Sequence, residues 1–216
     1  LSHPILVDVT ADDTLPALKL ALSSGMDLVM ANKRPLGGPL ADAKSLLDLA
    51  ASQGRRMLHE TTVGAGLPII DTFHKLVESG DRVLKIEGCT SGTLGFLLDE
   101  VSKGKKFSEA LKRAMQLGFT EPDARDDLSG MDVARKLLVI AREAGLVLDL
   151  SDVVIEPVLP AGFAEGLDVP AFMAELPKLD AAFAERVQQA RERGEVLRYI
   201  GEISEGRCKV AIKALP

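Results

Sequence analysis

The sequence predicts an α/β protein in which a parallel sheet is followed by an α+β region. Three observations carry that prediction. Over residues 1–58, short apolar runs alternate with longer amphipathic stretches, the pattern of βαβ units. From Gly64 onward, helix-like stretches dominate and are separated by Gly- and Pro-bearing turns. Near the end, two strand-like runs stand close enough to form a hairpin.

The elements follow in order. Ile5 to Val9 reads as a strand, and Leu15 to Leu22, with apolar residues at 15, 18, 20 and 22, as a helix. Leu28 to Ala31 is a second strand, Leu40 to Ala51 a helix, and Arg56-Met57-Leu58 the start of a third strand. Leu67 to Val77 reads as a helix and Val83 to Glu87 as a strand. Thr93 to Val101 and Phe107 to Leu117 read as helices, with Gly118 as a C-terminal cap. A polar turn over 120–127 precedes a helix from about Gly130 to Ala144. Residues 156–170 carry Pro157, Pro160 and Pro170 and read as loop. Leu179 to Arg193 is a helix with a polar face, and Val196 to Ile203 with Cys208 to Ile212 is the closing hairpin.

Composition bounds the function. The 216 residues can bury a sizeable core, and 46% hydrophobic with 27% charged residues fits a soluble globular protein. A net charge of −6 argues against nucleic acid or an acidic membrane as partner. Aromatic residues make up 4% with no Trp, which leaves little for base stacking. Two isolated cysteines, Cys89 and Cys208, form neither a disulfide framework nor a zinc pattern, so a reducing cytoplasm is expected. The start, Leu1-Ser2-His3-Pro4-Ile5, is not a signal peptide, and no apolar run reaches the length of a membrane span. A first residue other than Met, with a strand close behind it, suggests a fragment or a processed chain.

Several motifs fail on inspection. Gly64-Ala65-Gly66 lacks the third Gly of a dinucleotide fingerprint and follows the third strand rather than the first. Gly88 to Thr93 is Gly-rich but has no P-loop Lys. His59-Glu60 is followed by Val63 where a zinc protease needs His, and the three His show no metal spacing. No Gly-x-Ser-x-Gly elbow is present.

Other residues can carry chemistry. In open α/β sheets, ligands sit beyond the carboxyl ends of the strands, which draws attention to Thr10, Asn32-Lys33 and His59-Glu60. Asp132 and Lys136 stand four apart on one helix face, where a carboxylate can keep an amine charged and aimed at a carbonyl oxygen. The same pair also fits an exposed helix ornament, and Ser129 to Asp132 resembles a capping box. Glu121, Asp126 and Asp127 can grip a substrate ammonium or simply favour a helix N-terminus. Glu60 and the turn Val63 to Leu67 can gather oxygens around a hard cation, or form a tight turn that needs Gly.

Five runs occur together and in order: Ala31-Asn32-Lys33, Glu60 through Pro68, Ser91-Gly92-Thr93-Leu94, Gly118 through Asp123, and Arg125 through Lys136. With them the chain resembles homoserine dehydrogenases over nearly its whole length. The stretch from Ile155-Glu156-Pro157 to Arg198-Tyr199 is similar to the dehydrogenase arm of bifunctional aspartokinase–homoserine dehydrogenases. The resemblance implies an NAD- or NADP-dependent enzyme that interconverts L-homoserine and L-aspartate 4-semialdehyde, on the route to threonine, methionine and isoleucine. It implies Lys136 as proton donor, Asp132 as its orienting carboxylate and Lys33 as a second catalytic Lys near the nicotinamide. It implies Glu121, Asp127, Gly92 and Thr93 as substrate contacts, and Thr10 near the nicotinamide ribose. Glu60 with the carbonyls of Val63, Ala65 and Leu67 would hold a monovalent cation, sodium.

The implied architecture is the carboxyl-terminal half of a Rossmann-like sheet over 1–58, then a substrate-binding and dimerisation domain over 59–216. A homodimer or higher homo-oligomer follows from the family. Two family features are missing from these residues: the Gly-x-Gly-x-x-Gly strand-loop and the C-terminal Gly-rich segment that closes over the cofactor. The chain therefore reads as truncated at both ends, with poor activity alone and an exposed sheet edge. The alternative reading is a non-catalytic dimerisation or ligand-binding fragment.

Overall fold

The computed structural model describes residues 3–216; Leu1 and Ser2, part of the start read above for a leader, lie outside it. The chain forms two compact units. The first takes in the chain up to Ile86 together with Ala134–Val154 and Glu202–Cys208. The second consists of Glu87–Val133, Ile155–Gly201 and Lys209–Pro216.

In the first unit, β1 (Ile5–Asp8), α1 (Leu15–Ser23), β2 (Asp27–Met30), α2 (Arg34–Gly37), α3 (Leu40–Ser52) and β3 (Met57–Leu58) follow one another. The strands lie in the order β1-β2-β3 and pair in parallel, with Ile5 opposite Asp27 and Leu28 opposite Met57. This is the parallel sheet that the alternating pattern predicts. Leu18 and Leu22 of α1, Leu28 and Met30 of β2, and Leu46 of α3 are buried and form its core. Leu20, counted in the apolar stripe of α1, is instead 70% exposed. It stands two residues from both Leu18 and Leu22, and a helix face repeats every three or four. β1 is an edge strand in this sheet, and Ile5 and Val7 are exposed.

Beyond β3 come α4 (Thr61–Gly64) and α5 (Ile69–Glu78). The helix expected from Leu67 starts two residues later, with Pro68 at its N-cap. Next along the chain are β4 (Lys85–Gly88), α6 (Gly92–Ser102), α7 (Phe107–Gln116), α8 (Ala124–Leu128) and α9 (Met131–Glu143). The turn expected at 120–127 thus contains a short helix, because Asp123 caps it by accepting from Arg125 N at 3.0 Å.

The last elements are β5 (Val153–Ile155), α10 (Val169–Glu175), α11 (Asp180–Glu192), β6 (Val196–Ser204) and β7 (Arg207–Leu215). The loop expected over 156–170 gives way at Val169 to a helix capped by Asp168, whose side chain accepts from Ala171 N. A second sheet has the order β4-β6-β7-β5. The β6–β7 hairpin turns on Glu205 and Gly206, at φ 51° and 74°. Both positive values suit a two-residue hairpin turn. Within the second unit, Phe107 of α7 stacks on Phe183 of α11 with centroids 4.1 Å apart. Asp180 caps α7 there, accepting from Ser108 N and Ser108 Oγ at 2.8 Å.

Candidate active site

The carboxyl ends of β1 and β2 are locked together by one buried carboxylate. Asp8, 3% exposed, ends β1. Its Oδ1 accepts from Thr10 N at 3.0 Å and Thr10 Oγ1 at 2.8 Å. Its Oδ2 accepts from Thr14 Oγ1 at 2.6 Å and Asn32 Nδ2 at 3.1 Å. Burial raises the carboxyl pKa, but these four donors outweigh it and hold the pKa below the usual value. Asn32 is buried as well, and its amide also reaches Asp12 O at 2.9 Å. Its own Oδ1 accepts from Arg34 N at 3.1 Å, so it caps the turn that begins α2. Thr10 is exposed at this end of the sheet, and Lys33, half-buried, follows Asn32 at the N-cap of α2.

The next strand end carries Glu60. Both of its carboxylate oxygens accept from the first turn of α5, from Ile70 N and Asp71 N at 2.8 Å each. A carboxylate there satisfies orphan amides and favours the positive end of the helix. Val63 is buried and Ala65 and Leu67 are exposed. Ala65 has φ 52° and ψ −111°, a rare backbone state for a residue with a Cβ. A Cβ at Gly64 would stand 2.4 Å from Ile69 Cδ1, so the Ile69 side chain would have to turn away to admit one.

His59, just before Glu60, is buried and binds Glu143 Oε1 through Nε2 at 2.8 Å; His74 Nε2 binds Glu143 Oε2 at 2.6 Å. Burial pushes the His59 pKa down, and the Glu143 carboxylate offsets part of that. Among the described residues no group of His, Cys, Asp and Glu side chains is arranged to hold a metal ion. His59, His74 and Glu143 make a hydrogen-bonded cluster, which the spacing of these residues in the sequence does not reveal.

The second unit holds the residues read as substrate contacts. Gly92 opens α6, with Ser91 as its N-cap accepting from Leu94 N at 3.2 Å. Thr93 Oγ1 donates to Phe119 O at 2.5 Å, which brings the 91–93 turn beside the run containing Glu121. Asp127 Oδ2 accepts from Glu121 N at 2.8 Å, so these two acids are neighbours. The Asp126 backbone carbonyl accepts from Ser129 Oγ at 2.7 Å. One corner later, α9 begins in this unit with Asp132 and continues into the first unit, where Lys136 follows one turn on along the same helix face; both are half-buried. Ser129 Oγ, at the corner between α8 and α9, accepts from Met131 N at 3.2 Å.

Asp8, Tyr199 and Glu143 escape sequence reasoning at first. Asp8 alone left a signal, a carboxylate at the end of an apolar strand.

Comparison with known proteins adds to this geometry. A family model described as homoserine dehydrogenase matches residues 68–216. The bifunctional aspartokinase/homoserine dehydrogenase of Haemophilus influenzae is 46% identical over 214 residues, covering 99% of this chain and 26% of that protein. A homoserine dehydrogenase of Emericella nidulans is 41% identical, covering 96% of this chain and 60% of its own length. Among solved structures, a Candida auris protein of unknown function superposes with a TM-score of 0.92 at 34% identity, covering 99% of this chain and 63% of the other. A putative homoserine dehydrogenase from Archaeoglobus fulgidus superposes with a TM-score of 0.76 at 28% identity, covering 98% of this chain and 58% of that one. The chain thus spans about a quarter of its Haemophilus relative.

Proposed function

This chain belongs to the homoserine dehydrogenase family, and we propose that it carries the substrate-binding and catalytic part of an enzyme that interconverts L-homoserine and L-aspartate 4-semialdehyde with NAD(P). The observation that carries this reading is the arrangement from Glu121 to Lys136. Two neighbouring acids stand on one side of a helix corner, and a carboxylate and an amine share a face on the other. An amino-acid substrate carries an ammonium of the kind a pair of acids holds, and a reacting oxygen of the kind a Lys serves.

In the oxidation direction, Lys136 takes the proton that leaves the hydroxyl of homoserine; in reduction it returns a proton to the aldehyde oxygen as that oxygen gains charge. Asp132 aims Lys136 and steadies its charge. Glu121 and Asp127 hold the substrate ammonium through charge-assisted hydrogen bonds, with backbone contacts from Gly92 and Thr93. Lys33, at the N-cap of α2 beyond β2, would be the second catalytic Lys, near the nicotinamide.

Bound NAD(P) would supply the hydride chemistry. The residues present fit its nicotinamide end, because Thr10 and Lys33 stand at the carboxyl ends of adjacent parallel strands. No Gly-x-Gly-x-x-Gly run occurs in the 216 residues to cradle the pyrophosphate. This chain alone is expected to bind the cofactor weakly.

At the turn after β3, Glu60 with the carbonyls of Val63, Ala65 and Leu67 would hold a sodium ion, a set of hard oxygen donors. The Glu60 carboxylate also accepts from the first turn of α5, and Leu67 O from Ile69 N at 2.9 Å. In this reading residues 1–58 serve the cofactor and 59–216 the substrate, and the enzyme works as a homo-oligomer. Free cysteines fit a cytoplasmic setting. Among the described residues no helix is long and apolar enough to cross a membrane.

The test is homoserine-dependent reduction of NAD(P) by this chain and by a version carrying the dehydrogenase segments that flank it in the Haemophilus relative. Turnover in the flanked version supports the reading. No turnover in either favours a ligand-binding or dimerisation module.

A further inference from the structure

The corner between α8 and α9 packs against a buried phenol. Tyr199 is the only tyrosine in the chain. It lies in β6, 2% exposed, and its hydroxyl donates to Glu156 O at 2.8 Å. The same ring presses on Gly130. A Cβ on that residue would stand 1.9 Å from Tyr199 Oη and 2.9 Å from Cζ. Gly130 also has φ +75°, so the absence of a side chain serves both the backbone turn and the close approach.

The Glu156 loop is itself fixed. Glu156 N donates to Val210 O at 2.9 Å, tying the loop to β7. Val158 N donates to Leu128 O at 2.9 Å, tying it to the last residue of α8. The corner Leu128-Ser129-Gly130 is therefore held by a backbone bond on one side and by the phenol on the other. α8, which carries Asp127, runs into this corner, and α9, which carries Asp132, leaves it.

We infer that Tyr199 is a positioning residue for the reaction, fixing the turn between α8 and α9 and with it the placement of Asp127 relative to Asp132. The inference rests on the substrate roles proposed for those two carboxylates. A core position needs only the ring. The hydroxyl does two further things: its oxygen is the atom nearest Gly130, and it donates the bond that anchors the ring to the 156 loop. Burial pushes the phenol pKa up to about 12, so the hydroxyl stays a neutral donor across the working range of the enzyme.

The test uses Tyr199→Phe. In the flanked, active form, kcat/KM for homoserine falls about tenfold while KM for NAD(P) stays within about twofold, because only the substrate geometry loosens. A lower melting temperature with kcat/KM for homoserine unchanged is a purely structural role and overturns the inference. A second arm needs no turnover. In amide NMR spectra of this chain, the substitution shifts Asp127, Gly130 and Asp132 and speeds their exchange. Unchanged resonances at these residues overturn the inference whatever the kinetics. If the form with Tyr199 oxidises no homoserine, the functional reading fails, and the spectra still decide whether the phenol sets the corner.

Discussion

Replacing Asp8 by Asn is the sharpest probe of the hydrogen-bonded cluster at the strand ends of the first unit. The change is nearly isosteric, so its effect is electronic. Each Asp8 oxygen accepts from two donors: Thr10 N and Thr10 Oγ1 on Oδ1, Thr14 Oγ1 and Asn32 Nδ2 on Oδ2. A carboxamide keeps one acceptor oxygen and turns an NH2 toward the other pair. A hydroxyl can rotate to accept, but Thr10 N and Asn32 Nδ2 cannot, so in either orientation one N–H faces another. The loss is a charge-assisted bond of roughly 1.5–3 kcal/mol plus one thwarted buried donor at roughly 1–3 kcal/mol. The terms overlap, and about 3 kcal/mol is expected. With a urea slope of about 2 kcal/mol/M, the midpoint at pH 7 falls by about 1.5 M without a change in slope.

The pH dependence gives the sign. The folded-state pKa of Asp8 is depressed, so its stabilisation is present above the unfolded value and is lost as pH falls through the folded one. The stability gap between the parent chain and the Asp8→Asn variant should therefore narrow progressively below about pH 4. A midpoint loss under about 0.3 M at pH 7, or a gap that does not shrink with acid, would refute the argument.

Three further predictions follow from the same reasoning. Gly130→Ala places a Cβ on Tyr199 Oη and in a left-handed backbone state; it should destabilise by about 3–5 kcal/mol in calorimetric melts, from strain and overpacking together. The buried His59 has a folded pKa below its unfolded value; the unfolded chain then takes up more protons below about pH 6.5, so stability drops as pH falls through that range. His59→Gln should flatten this slope in melts taken between about pH 5 and 7.5. Lys136→Met, in a form that turns over, should lower kcat by about a hundredfold or more with little change in homoserine KM, as steady-state kinetics would register.

How much the sequence revealed depends on the range of the interaction. The parallel sheet was legible because Leu28 and Met30 repeat with period two and Leu18 and Leu22 with the helix period. The candidate site residues were legible because they sit in contiguous runs, Arg125 to Lys136 above all. What stayed hidden is held by side chains far apart in the chain. Asp149 caps α3 by accepting from Leu40 N at 2.7 Å. Glu143 gathers His59 and His74. Tyr199 meets Gly130 across the second unit. No local propensity encodes such pairs, so the sequence places the glycine only at the start of a helix. The short helices α4 and α8 escaped for another reason. They hold only four and five residues, too few for a period to be seen.

The most direct measurement of the central claim is the rate of NAD(P) reduction with L-homoserine, by this chain and by the version flanked by the dehydrogenase segments of the Haemophilus relative. The account predicts clear turnover in the flanked version, abolished by Lys136→Met, and little in the chain alone. A flanked, folded version that reduces no NAD(P), or one whose turnover survives Lys136→Met, would contradict it.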